Sequence, residues 1–432
     1  MENIITADNC RMMESAIVIV LLFIGLIFTR IHRTVLGLVA VSVVFLLNIA
    51  SYEDLVRHVD VNVIMLLVAM MLIVAVMRRT GLFQYIAMKS AKLAGGDPLK
   101  LLILFAIATA VISAFFDNVT TILLMSPITL FICSDFGINP IPFLVTQAIA
   151  SNFGGTATLI GDPPNIMIGS AAGLSFTQFV INLAPLVLIV TAGYAFIMRV
   201  AYRKKVGYAS AAIKARLASI DTRKSITDKI LLKRGLIILA LTLIGFFIQK
   251  EINLEAGEIA LCGAAALLLV SRADVTKVLE ELEWTTIIFF ACLYIVVGAA
   301  DESGLIRKSG SFLFNANLDS FSFAMIIMWI SALLSAFIGS VPVAAIMIPL
   351  IKTHIVANPH LSFVWWALAI GVCFGGNLTL IGAAANIIAA GIVEKNGYRI
   401  TFKTFFLHGA PVTILALVLS SLYIYLRYIL FY

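Results

Sequence analysis

Long apolar stretches, broken at regular intervals by small and polar residues, dominate the chain. Ser15 to Thr29, Val61 to Val76, Pro185 to Met198, Gly235 to Ile248 and Val412 to Tyr425 are almost free of charge. A bilayer-spanning helix needs about 20 predominantly apolar residues, with a range of about 17–25. Short alternating segments of the kind that build a membrane barrel are not seen. The pattern predicts an all-α polytopic membrane protein.

The breaks repeat. FGGTATLIGDPPN (Phe153 to Asn165) and FGGNLTLIGAAAN (Phe374 to Asn386) lie 221 residues apart and share eight of thirteen positions. Other blocks pair in the same order: Asp60–Phe83 with Glu283–Ile306, SAFFDNVTTILLMSPI from Ser113 with SAFIGSVPVAAIMIPL from Ser335, and Phe176–Pro185 with Phe402–Pro411. The pairing predicts two homologous halves, 1–201 and 235–432, joined by a linker at 202–234. Each half parses alike. Two apolar helices come first (15–29 and 35–51; 235–250 and 254–271), then a third (61–77; 284–300). A long apolar region broken by SAFFDN or SAFIGS follows, then a helix interrupted by the FGG sentence, then a closing helix (183–200; 411–430). The region around SAFFDN is too long for one crossing and suits a re-entrant hairpin. Each half then has five crossings, and an odd number inverts the second half relative to the first.

Composition agrees. Hydrophobic residues are 62% of the 432 and charged residues 12%, half the charge of a typical soluble domain at about 25%. The net charge of +7 does not point to nucleic acid, because of where it sits. Ten Lys and Arg against two acids lie between Arg203 and Arg234, with more at Arg30, Arg33, Arg78, Arg79, Lys395, Arg399 and Lys403. Cytoplasmic loops collect such residues, so the linker is placed in the cytoplasm and both termini outside. The acid-rich stretch from Arg272 to Glu283 runs against this rule. The N-terminus lacks the basic start of a cleaved signal peptide, and the expected location is the inner membrane. The five cysteines are scattered without metal-ligand spacing and read as small packed hydrophobes.

Inverted repeats with paired broken helices point to a secondary transporter whose site lies near the midplane. Four tips are expected to meet there: Asp117-Asn118-Val119-Thr120, Gly339-Ser340-Val341-Pro342, Gly154-Gly155-Thr156 with Asn165, and Gly375-Gly376-Asn377 with Asn386. Glycine pairs and Pro163-Pro164 interrupt helical bonding, and unwound backbone at that depth must line a cavity or be satisfied by protein. Hydroxyls at Thr120, Thr156, Thr158, Ser340 and Thr379 can serve a cation or an anion. Asp117 and Asp162 are the two carboxylates in the breaks; a charge at the bilayer centre costs about 2.5–3.5 kcal/mol on insertion scales, which favours function, although Asp is also a good helix N-cap. Asp117 aligns with Gly339 and Asp162 with Ala383, so only the first half supplies acid. Asp60 and Glu283 read as structural residues at the interface.

SAFFDNVTTILL, SNFGGTATLIGDPPNIMI (which contains Asn152) and GGNLTLIGAAANIIAAGIVEKNG resemble the ArsB/P-protein/NhaD permeases of the ion transporter superfamily. The resemblance covers about 60–200 and 283–411. It implies an elevator-like permease that exports arsenite or antimonite, exchanges sodium for protons, or moves other anions, with the first two helices of each half, about 15–60 and 235–283, as scaffold and 61–201 and 284–432 as the transport parts. Such permeases commonly carry Asp-Asn in the second hairpin, where this chain has Gly339-Ser340, and that departure favours proton-linked arsenite-type efflux over sodium coupling. The partners expected are a small solute or ion (arsenite, antimonite, sodium or proton), a separate ATPase subunit docking on the basic linker, and a second copy of the chain. No cofactor is expected, and no Walker sequence occurs. An intramembrane aspartyl protease is the enzyme alternative, but its Gly-x-Gly-Asp pattern would need glycine at Leu159. A passive channel is the third class.

Overall fold

The structure, a computed structural model, describes residues 2–29, 31–202, 221–314, 319–357 and 361–431. Arg30 and residues 203–220 of the basic linker, including its Arg203 to Arg216 bases, lie outside them. Every regular element among the described residues is helical. The first half runs α1 (Glu2–Phe28), α2 (Arg33–Leu46), α3 (Tyr52–Arg57), α4 (Val61–Arg78), α5 (Leu82–Ala94), α6 (Pro98–Ser113), α7 (Asn118–Asp135), α8 (Ile141–Thr156), α9 (Pro163–Ala172) and α10 (Phe176–Tyr202). The second runs α11 (Lys229–Phe247), α12 (Ala256–Ser271), α13 (Val275–Glu280), α14 (Trp284–Glu302), α15 (Leu305–Phe314), α16 (Ser320–Ile338), α17 (Ser340–Ala357), α18 (Val364–Gly375), α19 (Ala384–Lys395) and α20 (Phe402–Phe431).

Among the described residues, eight helices are long and apolar enough to cross a membrane. Two of them, α7 and α16, are arms of the expected hairpins. The remaining six, the shorter α2 and α12, and the interrupted pairs α8–α9 and α18–α19 make up the ten crossings read from the sequence.

The hairpins follow from side-chain register. Phe105 stacks edge-on against Phe143, and Ala110 lies under Gly154, so α6 and α8 run parallel. Asn118 meets Asn152 and Thr129 meets Gln147, so α7 runs back against α8. Asp97 caps α6 through the backbone N–H groups of Leu99 and Lys100, ahead of Pro98 at the first helical position, where proline is best tolerated.

Gly154 and Gly155 do not form the first break. They occupy the last turn of α8, and the unwound stretch is Ala157 to Asp162. Their small size serves packing instead. A Cβ on Gly154 would lie 2.0 Å from the Ala110 carbonyl oxygen, and one on Gly375 would lie 2.3 Å from that of Ala332. The two halves thus bring parallel helices to backbone contact at matching positions.

The halves also interlock. α4 of the first packs along α12 of the second, and α14 of the second packs along α2 of the first. α4 and α14 therefore associate with the helices expected as scaffold, although the sequence boundary at 60 and 283 separates them. The second hairpin arms cross as well: α7 lies on α19, and α17 lies on α9.

Side-chain contacts sort the loops into two ends. At one end Arg33 donates to Thr286, Arg78 and Arg79 pair with Glu281, Thr227 donates to the Thr80 carbonyl, and Tyr202 stacks on His408. At the other end His58 meets Glu302, Lys250 meets Gln178, and Arg427 meets the Ile181 carbonyl. The grouping matches the sidedness read from the charges. Glu281 explains the acid-rich exception, since it is the counter-ion of the Arg78–Arg79 pair, 3.0 Å from Arg79.

A packing test follows from the glycine contacts. Overpacking a tight interior costs about 1–3 kcal/mol, so Gly154→Ala is expected to lower the melting temperature of the detergent-purified protein. At Gly391 an added Cβ meets nothing within 4 Å, so Gly391→Ala is expected to stay within about 0.5 kcal/mol of wild type.

Candidate functional site

Two interrupted helices approach each other at the middle of the molecule. Phe153 and Phe374, matching residues of the two sentences, meet edge-to-face with ring centroids 5.1 Å apart. Each break leaves carbonyls without helical partners, and each is braced by its own asparagine. Asn165 Nδ2 donates to the carbonyls of Gly155, Thr156 and Thr158 at 3.3, 3.3 and 3.0 Å. Asn386 Nδ2 donates to those of Gly376 and Thr379 at 2.8 and 3.0 Å. The amides expected to hold solute are therefore committed to the backbone, and only their Oδ1 atoms face elsewhere.

A threonine ties each break to its hairpin. Thr158 Oγ1 donates to the Ala114 carbonyl at 2.5 Å, and Thr379 Oγ1 donates to that of Ala336. Thr156 Oγ1 bonds back to the Asn152 carbonyl at 2.7 Å. These three hydroxyls stabilise the broken backbone and are occupied.

The two acids separate by role. Asp117 is half-buried at the N-cap of α7, where its carboxylate accepts the Thr120 N–H at 2.9 Å. Asp162 also precedes a helix, but its side chain makes no cap bond to α9. It is 2% exposed and accepts from Asn118 Nδ2 at 3.3 Å. The same Nδ2 donates to Asn152 Oδ1 at 3.0 Å. Asn152 Nδ2 then crosses to the second half, reaching Asn377 Oδ1 at 2.8 Å and Asn386 Oδ1 at 3.3 Å. A continuous chain of buried carboxamides thus links the first hairpin, the first broken helix and the second broken helix, with Asp162 at one end. At the other end, Asn377 Nδ2 is buried and has no hydrogen-bond partner. Buried polar groups are nearly always bonded, and the Nδ2 atoms of Asn118, Asn152, Asn165 and Asn386 all are, which sets the Asn377 donor apart within this chain. The N-termini of α9 and α19 also begin here, and such ends carry partial positive charge.

The structure brings Asn118, Asn152, Asp162, Asn165, Asn377 and Asn386 together, with Gly154, Gly155, Gly375 and Gly376 as the close-packed backbone beneath them. Ser340 stands half-buried at the start of α17, outside this network. Cys373 enters it: its thiol donates to Asn165 Oδ1 at 3.5 Å. Its place one residue before the second FGG sentence is the only sequence signal for that contact.

A sequence profile described as Citrate transporter (CitMHS) matches residues 23–371. The chain belongs to the CitMHS family. Similar proteins include an uncharacterized transporter of Mycobacterium tuberculosis, Rv2684, 38% identical over 413 residues that cover 92% of this chain and 94% of the relative. The human P protein is 28% identical over 491 residues, covering 94% of this chain and 58% of that protein, in line with the P-protein resemblance. Two solved structures share the fold. The YdaH transporter of Alcanivorax borkumensis, described as having an unusual topology, aligns with a TM-score of 0.62 at 16% identity over 88% of this chain and 87% of that one. MtrF of Neisseria gonorrhoeae, from a class of antimetabolite efflux pumps, aligns with a TM-score of 0.55 at 15% identity over 88% and 83%. The chain is a multi-pass membrane transporter, not an enzyme.

The carboxamide chain makes a direct prediction. Asn152→Ala strands the Oδ1 atoms of Asn377 and Asn386, and an unsatisfied buried group costs about 1–3 kcal/mol. A lowered melting temperature in detergent is expected; an unchanged one contradicts the network.

Proposed function

We propose that the chain is a secondary active transporter that holds one small solute among Asn118, Asn152, Asp162, Asn377 and the N-termini of α9 and α19. The observation that carries this reading is Asp162: a buried, uncapped carboxylate at the end of a carboxamide chain that spans both halves. The structural work at these breaks is done by Asn165, Asn386, Thr158 and Thr379, which leaves Asp162 and the Asn377 donor for the cargo.

Carboxamides offer donors and acceptors side by side, and hydroxyl groups on a neutral solute match both. A neutral trihydroxy acid of the arsenite or antimonite type fits this chemistry, and efflux driven by proton exchange at Asp162 is the corresponding mechanism. The acid carries the proton in one direction, and the solute occupies the same centre in the other. A charge placed at this depth is costly, so Asp162 crosses the barrier with a proton or a cation rather than bare.

The family description supports a second cargo, citrate. Its carboxylates would lie at the positive ends of α9 and α19, and Asp162 would need a proton or cation to avoid repulsion. Sodium–proton exchange is the third reading, weakened by Gly339-Ser340 in the second hairpin.

Movement is read from packing. α1, α2, α4, α11, α12 and α14 form the scaffold, since α4 and α14 pack on its helices. The hairpins and broken helices form the moving part, in an elevator-like exchange of access. The scaffold boundary lies after α4 and α14 rather than before them.

Flux into proteoliposomes tests the reading, with arsenite, antimonite, citrate and sodium each offered with and without a pH gradient. One solute is expected to move, faster with the gradient. Asp162→Asn is expected to keep binding of that solute within about tenfold, a change of about 1.4 kcal/mol, and to lose gradient-driven flux. Wild-type gradient dependence in Asp162→Asn contradicts the coupling role.

A further inference from the structure

The two halves match residue for residue, so a difference in burial at matching positions reports the state of the molecule. Ile166 and Ile387 are such a pair, and so are Ile160 and Ile381. Ile166 is 3% exposed and Ile387 51%; Ile160 is 2% exposed and Ile381 37%. The cause lies in the neighbours. α9 packs on α4, whereas among the described residues α19 makes no comparable packing with α14. The seam between α4 and α9, at the end opposite the linker, is packed more closely than the matching seam between α14 and α19 at the linker end.

A side-chain bond joins α9 to the start of α4 across this seam. Ser170 of α9 donates to Asp60, the N-cap residue of α4. The matching positions are Glu283, before α14, and Gly391 in α19. Gly391 has no hydroxyl to give, and a Cβ there would meet nothing within 4 Å. Among the described residues the Glu283 carboxylate accepts from the Thr286 hydroxyl, to which Arg33 in turn donates, and its Oε1 is buried without a partner. Beside the α4–α9 seam a cavity of about 640 Å³, lined in part by Asn62, Ser170, Lys250 and Glu255, reaches in to Leu159 of the first break. The Asp60–Ser170 bond sits at the edge of this vestibule, beside the route to the site.

We propose that the Asp60–Ser170 bond is the latch that closes the transport path at the end opposite the linker, and that Glu283 and Gly391 are its unlatched counterpart. The inference rests on the moving-part reading above. It makes the two closures unequal: one half closes with a charge-assisted hydrogen bond, the other without. The chain therefore rests with its linker-side seam the less closely packed, as seen here. Asp60 and Ser170 are positioning residues; neither touches solute in this account.

The test uses the full chain in proteoliposomes and a membrane-impermeant maleimide, with Ile166→Cys and Ile387→Cys added singly and the parent's own labelling subtracted. In the Ser170→Ala background, Ile166→Cys labelling from the end opposite the linker is expected to rise about fivefold, the population change carried by one hydrogen bond, and Ile387→Cys labelling to fall. Ser170→Thr retains the hydroxyl and is expected to label as the parent does. Gly391→Ser supplies the missing hydroxyl to Glu283 and is expected to reduce Ile387→Cys labelling. Unchanged labelling at both positions in Ser170→Ala overturns the latch, whatever the flux of that variant. Loss of solute flux in the parent chain would instead count against the transport reading, and the labelling ratios judge the latch independently of it.

Discussion

An interrupted helix inside a bilayer has no water to satisfy the peptide groups it frees, and each group left bare costs several kcal/mol. Everything at the centre of this molecule follows from how that requirement is met. Asn165 and Asn386, one in each half, turn their amides onto five carbonyls of the two breaks. Thr158 and Thr379 fasten the same breaks to the hairpins. With the backbone satisfied internally, the α9 and α19 N-termini can open toward the midplane, and a polar site can exist at that depth.

The repeat duplicates the scaffolding and not the chemistry. Bracing asparagines, anchoring threonines and backbone-contact glycines occur twice. The acid occurs once, because Ala383 stands where Asp162 does and Gly339 where Asp117 does. The result is a centre with two-fold backbone and one-sided charge. Asp117 and Asp162 lie within electrostatic reach of each other, and Asp117 within reach of Glu283.

Much of this was legible in the chain. Periodicity and length gave the helices, the paired sentences gave the breaks, and the distribution of Lys and Arg gave the grouping of loops. Sequence could not separate two acids that both precede helices. Asp117 caps its helix and Asp162 does not, and the difference is set by which side chain lies opposite. Gly154 and Gly155 looked like the break itself, yet they are helical, Gly154 serving contact with α6 and Gly155 contact with Gly161 of the unwound stretch, because a glycine pair signals either unwinding or close approach and tertiary packing decides. Apolarity alone does not separate α4 and α14 from the helices that follow them, and their packing on α12 and α2 is set by tertiary contacts.

The central claim is that unwound segments of both halves hold one solute between them. A cryo-EM map of the protein in lipid nanodiscs with its transported solute bound tests it most directly. The account predicts solute density in contact with both Asp162 of the first half and Asn377 of the second. Density confined to the vestibule near Lys250, or bound by one half alone with the Asn152–Asn377 contact unchanged, would contradict it.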